Sequence, residues 1–191
     1  MASEWLDFMR TCHRMGIRTS STMMYGSVET MDERVEHLAC LRDLQDETRG
    51  FNSFIPWSFQ PELIEMPATP KASAFDYLRT LAVSRLYLDN IRSIQASWVT
   101  QGPKVAQVSL RFGVNDFGST VIEENVVSAA GTTHRMDLAA MERLIRDAGF
   151  TPLLRDTNYR VLGPRKETSS GARVAPRMAS HGAAQPLSPV N

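Results

Sequence analysis

The feature that most constrains this chain is a repeated alternation of short β-type runs with segments of helical period. Glu4 to Met15 places Trp5, Phe8, Met9 and Cys12 at helical spacing and stops at Gly16. Ile17 to Tyr25 reads as a strand ending at Gly26. Thr30, with Glu33 three residues on, has the capping-box pattern of a helix start. That helix lines up Val35, Leu38, Leu41 and Gln45 and stops before Gly50. Phe51 to Trp57 is the next strand, followed by a loop holding Pro61, Pro67 and Pro70. Ser73 to Asp89 follows as a helix with Leu78, Leu81, Ala82, Leu86 and Tyr87 as its apolar positions. Ile94 to Val99 reads as a strand. A helix opened by Pro103 carries Val105, Val108, Leu110 and Phe112 to Gly113. Asn115 to Thr120 is a short polar strand or strand end. Asp137 to Ala148 is the last helix, with Leu138, Met141, Leu144 and Ile145 inward.

Four strands, each followed by a helix, describe a parallel α/β architecture. In a closed (β/α) barrel the C-terminal ends of the strands build the active site. Those ends here are Met24-Tyr25-Gly26, Ile55-Pro56-Trp57, Ser97-Trp98-Val99-Thr100 and Asn115-Asp116, richer in polar and aromatic side chains than the strand starts. A full barrel takes about 250 residues, so four units amount to half of one. Residues 163–191 hold four prolines and no aromatic residue, and a segment of that composition cannot offset its chain entropy. The expectation is one foldable domain over residues 1–162 and a disordered tail over 163–191.

Composition removes several function classes. The formal net charge is zero, which argues against a nucleic-acid binder with its concentrated basic face. No apolar run approaches the ~20 residues of a membrane span, and the N-terminus lacks the regions of a signal peptide. Cys12 and Cys40 belong to no paired motif, so neither a disulfide framework nor a self-contained metal or iron–sulfur site is expected. A reduced, cytoplasmic protein fits this pattern.

The strand ends carry a resemblance. Thr22-Met-Met-Tyr-Gly-Ser-Val-Glu29 resembles the G-x-I-x-G-x-x-E motif on the fifth barrel strand of radical S-adenosylmethionine enzymes; Gly26 and Glu29 match, while Thr22 and Met24 replace the first Gly and the Ile. With Phe54 to Pro61, Ala96 to Lys104, Arg111 to Thr120 and Glu123-Glu124-Asn125, the chain from about Trp5 to Leu162 resembles the C-terminal half of the cyclic dehypoxanthine futalosine synthase family of menaquinone biosynthesis. The aminofutalosine synthases and the deazaflavin-precursor synthase subunits are similar. The segments around Trp98 and after Asn115 look most like the cyclase.

The resemblance implies a radical cyclisation of dehypoxanthine futalosine. A [4Fe-4S] cluster and S-adenosylmethionine supply a 5′-deoxyadenosyl radical, and the sugar radical that follows attacks the attached ring. The protein's task is to hold both partners in contact and keep the site dry. The family holds its cluster with C-x3-C-x2-C, and this chain has no such motif. It begins on what would be the fourth barrel helix. Met1 therefore reads as an internal start, from a truncated gene model, a frameshift or a split gene, and the chain is expected to be inactive without an N-terminal half.

Each candidate residue has a functional and a structural reading. Gly26 and Glu29 would sit by the adenosine of the cofactor with Met24 against the adenine, or would form a strand-to-helix turn favoured by the helix dipole. Trp57 and Trp98 would wall an aromatic substrate and its ribose, or pack the barrel top. Gln60, Gln101, Asn115 and Asp116 would bond sugar hydroxyls, with Asp116 also accepting the proton released on rearomatisation; an Asn-Asp turn bonding its own backbone is the rival. Of the adjacent Glu123 and Glu124, only one can face a given point. Ser119 and Thr120 would bind a carboxylate or cap a helix. His37 is expected in solvent, and His13 beside a helix end. His134 is a weaker candidate for substrate contact. A non-catalytic half-barrel, which would pair through its open edges with itself or another chain, is the reading from a different class.

Overall fold

The computed structural model describes residues 2–61, 70–120 and 134–165. In chain order its elements are α1 (Ala2–Arg14), β1 (Thr19–Tyr25), α2 (Met31–Thr48), β2 (Phe51–Ser58), α3 (Ala74–Tyr87), β3 (Ser93–Ile94), α4 (Trp98–Ser109) running into a 3-10 turn (Leu110–Phe112), α5 (Leu138–Asp147), and strands β4 (Leu154–Arg155) and β5 (Val161–Gly163). The tail beyond residue 165, Pro67 and Glu123 to Asn125 lie outside the described residues.

The helices start where their caps direct. Thr30 and Glu33 form the reciprocal capping box of α2, Ser73 accepts from the Asp76 N–H to open α3, and Asp137 accepts from the Ala140 N–H to open α5. The three-stranded sheet has the order β1-β2-β3, all parallel, and a single parallel bridge from Gln95 to Asp116 extends it beyond β3. Burial alternates along β1: Ser21, Met23 and Tyr25 are buried, whereas Ser20, Thr22 and Met24 face outward. The covered face packs on the core of Leu38, Leu41 and Leu44 from α2, Tyr77 and Leu81 from α3, and Phe54 and Ile94 from the sheet. The fold is thus α/β with a parallel sheet and a separate two-stranded antiparallel sheet; no closed barrel is present among the described residues.

Several expectations need correction. The strand expected from Ile94 to Val99 ends at Ile94, because Ser97 becomes a helix N-cap and Trp98 buries itself in the first turn of α4, 3% exposed. Pro103 does open a helical segment, since α4 breaks at Gly102 (φ 79°, ψ 166°) and restarts there. That backbone conformation suits only glycine. The fourth strand shrinks to the bridge at Asp116, and the β4–β5 hairpin was not anticipated. On α3, Leu86 is 82% exposed while Thr80 and Ser84 are buried; the Ser84 hydroxyl donates to the Thr80 carbonyl at 2.7 Å, so a small polar residue fits the interior. Val35 on α2 is exposed as well. Among the described residues no helix is long and apolar enough to cross a membrane.

His13 lies in the last turn of α1, at a helix end as expected, and is buried there, anchoring the helix through its ring contacts. Its Nδ1 bonds the Thr48 hydroxyl at 2.7 Å, its Nε2 bonds that of Thr19 at 2.9 Å, and its ring meets Phe51 edge-on. A Cβ on Gly50 would lie 2.0 Å from His13 Cγ, so the contact requires glycine. Gly50→Ala should therefore cost about 1–3 kcal/mol in urea unfolding, with much of the loss recovered in a Gly50→Ala/His13→Ala double variant. Burial, aided by Arg18, lowers the His13 pKa. The unfolded state then takes up the proton first, so stability should fall as the pH drops below about 6.5. His37 is also lowered and adds a second contribution of the same sign. His13→Gln should flatten the dependence measured by urea unfolding at pH 5 to 8, leaving the His37 share.

Candidate functional site

The carboxyl ends of the strands gather three polar groupings. The first is the β1–α2 turn. Glu29 accepts from the N–H of Gly26 at 2.5 Å and of Ser27 at 3.0 Å, and from Arg34 Nε at 2.8 Å. Arg34 also donates to Asp76 at 3.0 Å and Thr80 at 3.3 Å on α3, and its guanidinium stacks 4.5 Å from the Tyr25 ring centroid. Burial opposes ionisation of Glu29, but the backbone donors of Gly26 and Ser27 and the Arg34 guanidinium outweigh it and hold its carboxyl below the usual range. The Glu29 carboxylate thus holds the turn in shape. Met24 stands apart from this network, 46% exposed on the open face, in register with the half-buried Trp57 of β2.

The second grouping centres on Ser58, fully buried at the end of β2. Its hydroxyl accepts from Gln60 Nε2 at 3.0 Å and from Gln101 Nε2 at 2.6 Å. Two carboxamides of the expected site are therefore brought together through a serine that the sequence had not singled out. Gln60 is 3% exposed and also donates to the carbonyls of Ser58 and Phe59. Gln101 continues to Thr100, whose hydroxyl meets that of Ser97 at 2.8 Å; the Ser97 N–H donates to the buried Tyr77 hydroxyl at 2.8 Å. Trp98, expected at a strand end beside Trp57, lies instead in α4 within the core. The His134 ring rests against Gly102, next to Gln101, about 3.1 Å from where a Cβ would stand.

The third grouping is at Asp116. Asn115 is spent on the scaffold: its Oδ1 accepts from the Ile94 N–H and from Arg85, both at 2.9 Å, and its Nδ2 donates to the Arg92 carbonyl at 3.0 Å. Asp116 makes the Asx-type turn, accepting the Gly118 N–H at 2.6 Å, and pairs through both oxygens with Arg155 from β4. Ser119 and Thr120 are exposed on the irregular segment that follows. Two further expectations change. His37 is not in solvent: its Nε2 is buried without a partner, burial lowers its pKa against a Thr22 backbone bond, and it lines a cavity of about 400 Å³ with Trp5, Leu6, Cys40 and Leu41. That cavity lies between α1 and α2. Cys12 and Cys40, one on each of those helices, are free thiols, and among the described residues no group of three or more His, Cys, Asp or Glu could hold a metal ion.

Residues 48–168 match the protein family described as the CofH/MqnC C-terminal region. The chain belongs to that family. It is 49% identical over 159 residues to the cyclic dehypoxanthine futalosine synthase of Halalkalibacterium halodurans, covering 83% of this chain and 43% of that protein. It is 44% identical over 177 residues to the cyclic dehypoxanthine futalosine synthase of Streptomyces coelicolor, covering 93% and 44%. The aminodeoxyfutalosine synthase of Thermus thermophilus is 47% identical over 165 residues, covering 83% and 44%. The chain thus spans a little under half the length of these relatives. The family resemblance read at the strand ends is correct.

Arg34, Ser58 and Arg155 escaped the sequence reading, since their partners lie far along the chain or act through a common third group. Arg34→Met removes the cation shared by Glu29 and Asp76 and should cost about 3 kcal/mol in urea unfolding at pH 7. The Glu29 contribution is present above pH 4.5 or so and lost as the pH falls through its lowered value, so the gap between wild type and variant should narrow in acid.

Proposed function

We propose that this chain forms the C-terminal half of a radical S-adenosylmethionine (β/α) barrel and supplies the substrate-facing wall of a cyclic dehypoxanthine futalosine synthase. The observation that carries the reading is the 49% identity over 159 residues to the enzyme of that name from H. halodurans. The parallel order β1-β2-β3, with its polar groups at the carboxyl ends, is the arrangement such a barrel uses for its site. The radical-generating chemistry of the enzyme comes from an iron–sulfur cluster and S-adenosylmethionine. Cys12 and Cys40 do not fit the cluster, so its ligands must come from an N-terminal half.

The part played by this chain is binding, orientation and exclusion of water. Met24 and Trp57, adjacent on the open face, offer apolar surface to flat rings. Gly26 and Glu29 shape the turn that borders the cofactor adenosine. Ser58 draws the N–H groups of Gln60 and Gln101 to one point, which turns the Gln101 carbonyl away as an acceptor for a sugar hydroxyl. Asp116 adds a carboxylate next to β3, at the bridge to Gln95. Ser119 and Thr120 extend the substrate wall, and Glu123, outside the described residues, is a substrate-binding candidate through the family resemblance alone. Trp98 and Asn115 support it from the core and from the β3 edge.

A second reading follows from the 47% identity to an aminodeoxyfutalosine synthase; on that reading the barrel makes the aminodeoxy product. The decisive experiment is anaerobic co-expression with an N-terminal segment carrying the family's three-cysteine motif, followed by iron and sulfide reconstitution. The two pieces should copurify and convert dehypoxanthine futalosine to its cyclic form. A pair that copurifies and holds iron and sulfide but leaves dehypoxanthine futalosine unconverted would favour the second reading. Two pieces that neither associate nor bind iron and sulfide would leave a non-catalytic half-barrel, which gel filtration of the chain alone would register as a discrete homodimer.

A further inference from the structure

The hairpin after α5 holds Asp116 more firmly than a proton-transferring group would need. A carboxylate offers about four acceptor directions. Three are in use here: Oδ1 takes the Gly118 N–H at 2.6 Å and Arg155 Nη2 at 3.0 Å, and Oδ2 takes Arg155 Nε. Among the described residues no donor takes the remaining direction on Oδ2, on a side chain only 7% exposed.

Arg155 is itself fixed from behind. Its guanidinium lies 3.9 Å from the Tyr159 ring centroid, and Nη1 donates to the Asp156 carbonyl at 3.1 Å. The Tyr159 hydroxyl meets Ser53 on β2 at 2.7 Å. Tyr159 holds a left-handed backbone (φ 61°), a conformation a bulky residue keeps only where its surroundings over-determine it. They do: Asp156 Oδ1 accepts from the N–H groups of Asn158 and Arg160 at 2.8 and 2.9 Å, and the Tyr159 N–H donates to the Asp156 carbonyl at 3.1 Å. The loop is built to present Tyr159 to the sheet and Arg155 to Asp116.

We propose that Arg155 is a positioning residue for Asp116, and that Asp116 acts as a one-point acceptor for a neutral ligand hydroxyl, not as the acceptor of a proton. The inference rests on the ligand site proposed above. A neutral hydroxyl suits the open direction, because a cationic donor would face Arg155 and an anion would face Asp116. Taking up a proton there would strip a half-buried guanidinium of its partner.

Arg155→Lys keeps the charge and loses the planar fork. In the complemented enzyme its KM for dehypoxanthine futalosine should rise about 5- to 20-fold with kcat nearly unchanged. Asp116→Asn, which keeps one acceptor oxygen, should show the same split. A kcat loss of about 100-fold or more at unchanged KM in Asp116→Asn would assign proton transfer to Asp116 and overturn the inference. Thermal melts establish that a variant is folded before a measurement on this chain alone decides, and where Arg155→Lys does not fold, Tyr159→Phe, which frees the ring behind Arg155 from Ser53, takes its place. Three-bond NMR couplings should report one χ1 rotamer for Asp116 in the wild type and averaging in Arg155→Lys. An unchanged single rotamer in the variant overturns the positioning role. Absence of activity in the wild-type pair counts against the proposed function alone, since the couplings do not depend on turnover.

Discussion

The parallel ladder between β1 and β2 is the contact on which the rest of the structure depends. From Ser20 to Tyr25 the strand runs in step with Ser53 to Ser58, so side chains on the two strands share faces pair by pair. A parallel sheet is stable only with both faces covered. The helices satisfy one face, where Met23, Tyr25 and Phe54 meet Leu38, Leu41 and Leu81. The other face carries Thr22, Met24, Ile55 and Trp57 and is capped at its start by the hairpin through Ser53 and Tyr159. That asymmetry explains why polar groups gather at the strand ends. There the ladder has run out, backbone groups need partners, and Gln60, Glu29 and Asp116 supply them.

Elements with a local cause were legible in the sequence. The capping residues of α2, α3 and α5 act through groups within three positions, so their spacing is visible in the chain. The first two strands are long enough to set their own pattern. The third differs because Ile94, Trp98 and Val99 are strand-forming residues, yet burying Trp98 against the core and tying Ser97 to Tyr77 favours a helix start. The hairpin strands have two and three residues, too few to display an alternation.

The site was legible by residue type and position but not by partnership. Gly26, Glu29, Gln60, Gln101 and Asp116 could be picked out as polar groups at strand ends. That Glu29 would spend its oxygens on its own turn, or that Asn115 would stitch β3 to its neighbour, depends on arginines drawn from α2 and α3. Ion pairs of this kind leave no periodic trace, because a long side chain reaches its partner from many sequence separations. Family membership filled part of that gap, since similar strand ends imply similar surroundings.

The order in which the chain leaves the ribosome gives the hairpin a further significance. β2 ends at Ser58, whereas the hairpin that caps the sheet's outer face begins at Leu154. At synthesis rates of about 5–20 residues per second, the β1–β2 pair emerges roughly 5–20 seconds before its cover. During that interval Met24, Ile55 and Trp57 border an unpaired β1 edge with nothing from their own chain to lie over Ser53. A nascent protein built this way exposes that face at its start until Tyr159 docks on Ser53, whereas β1 is still an edge strand in the finished sheet.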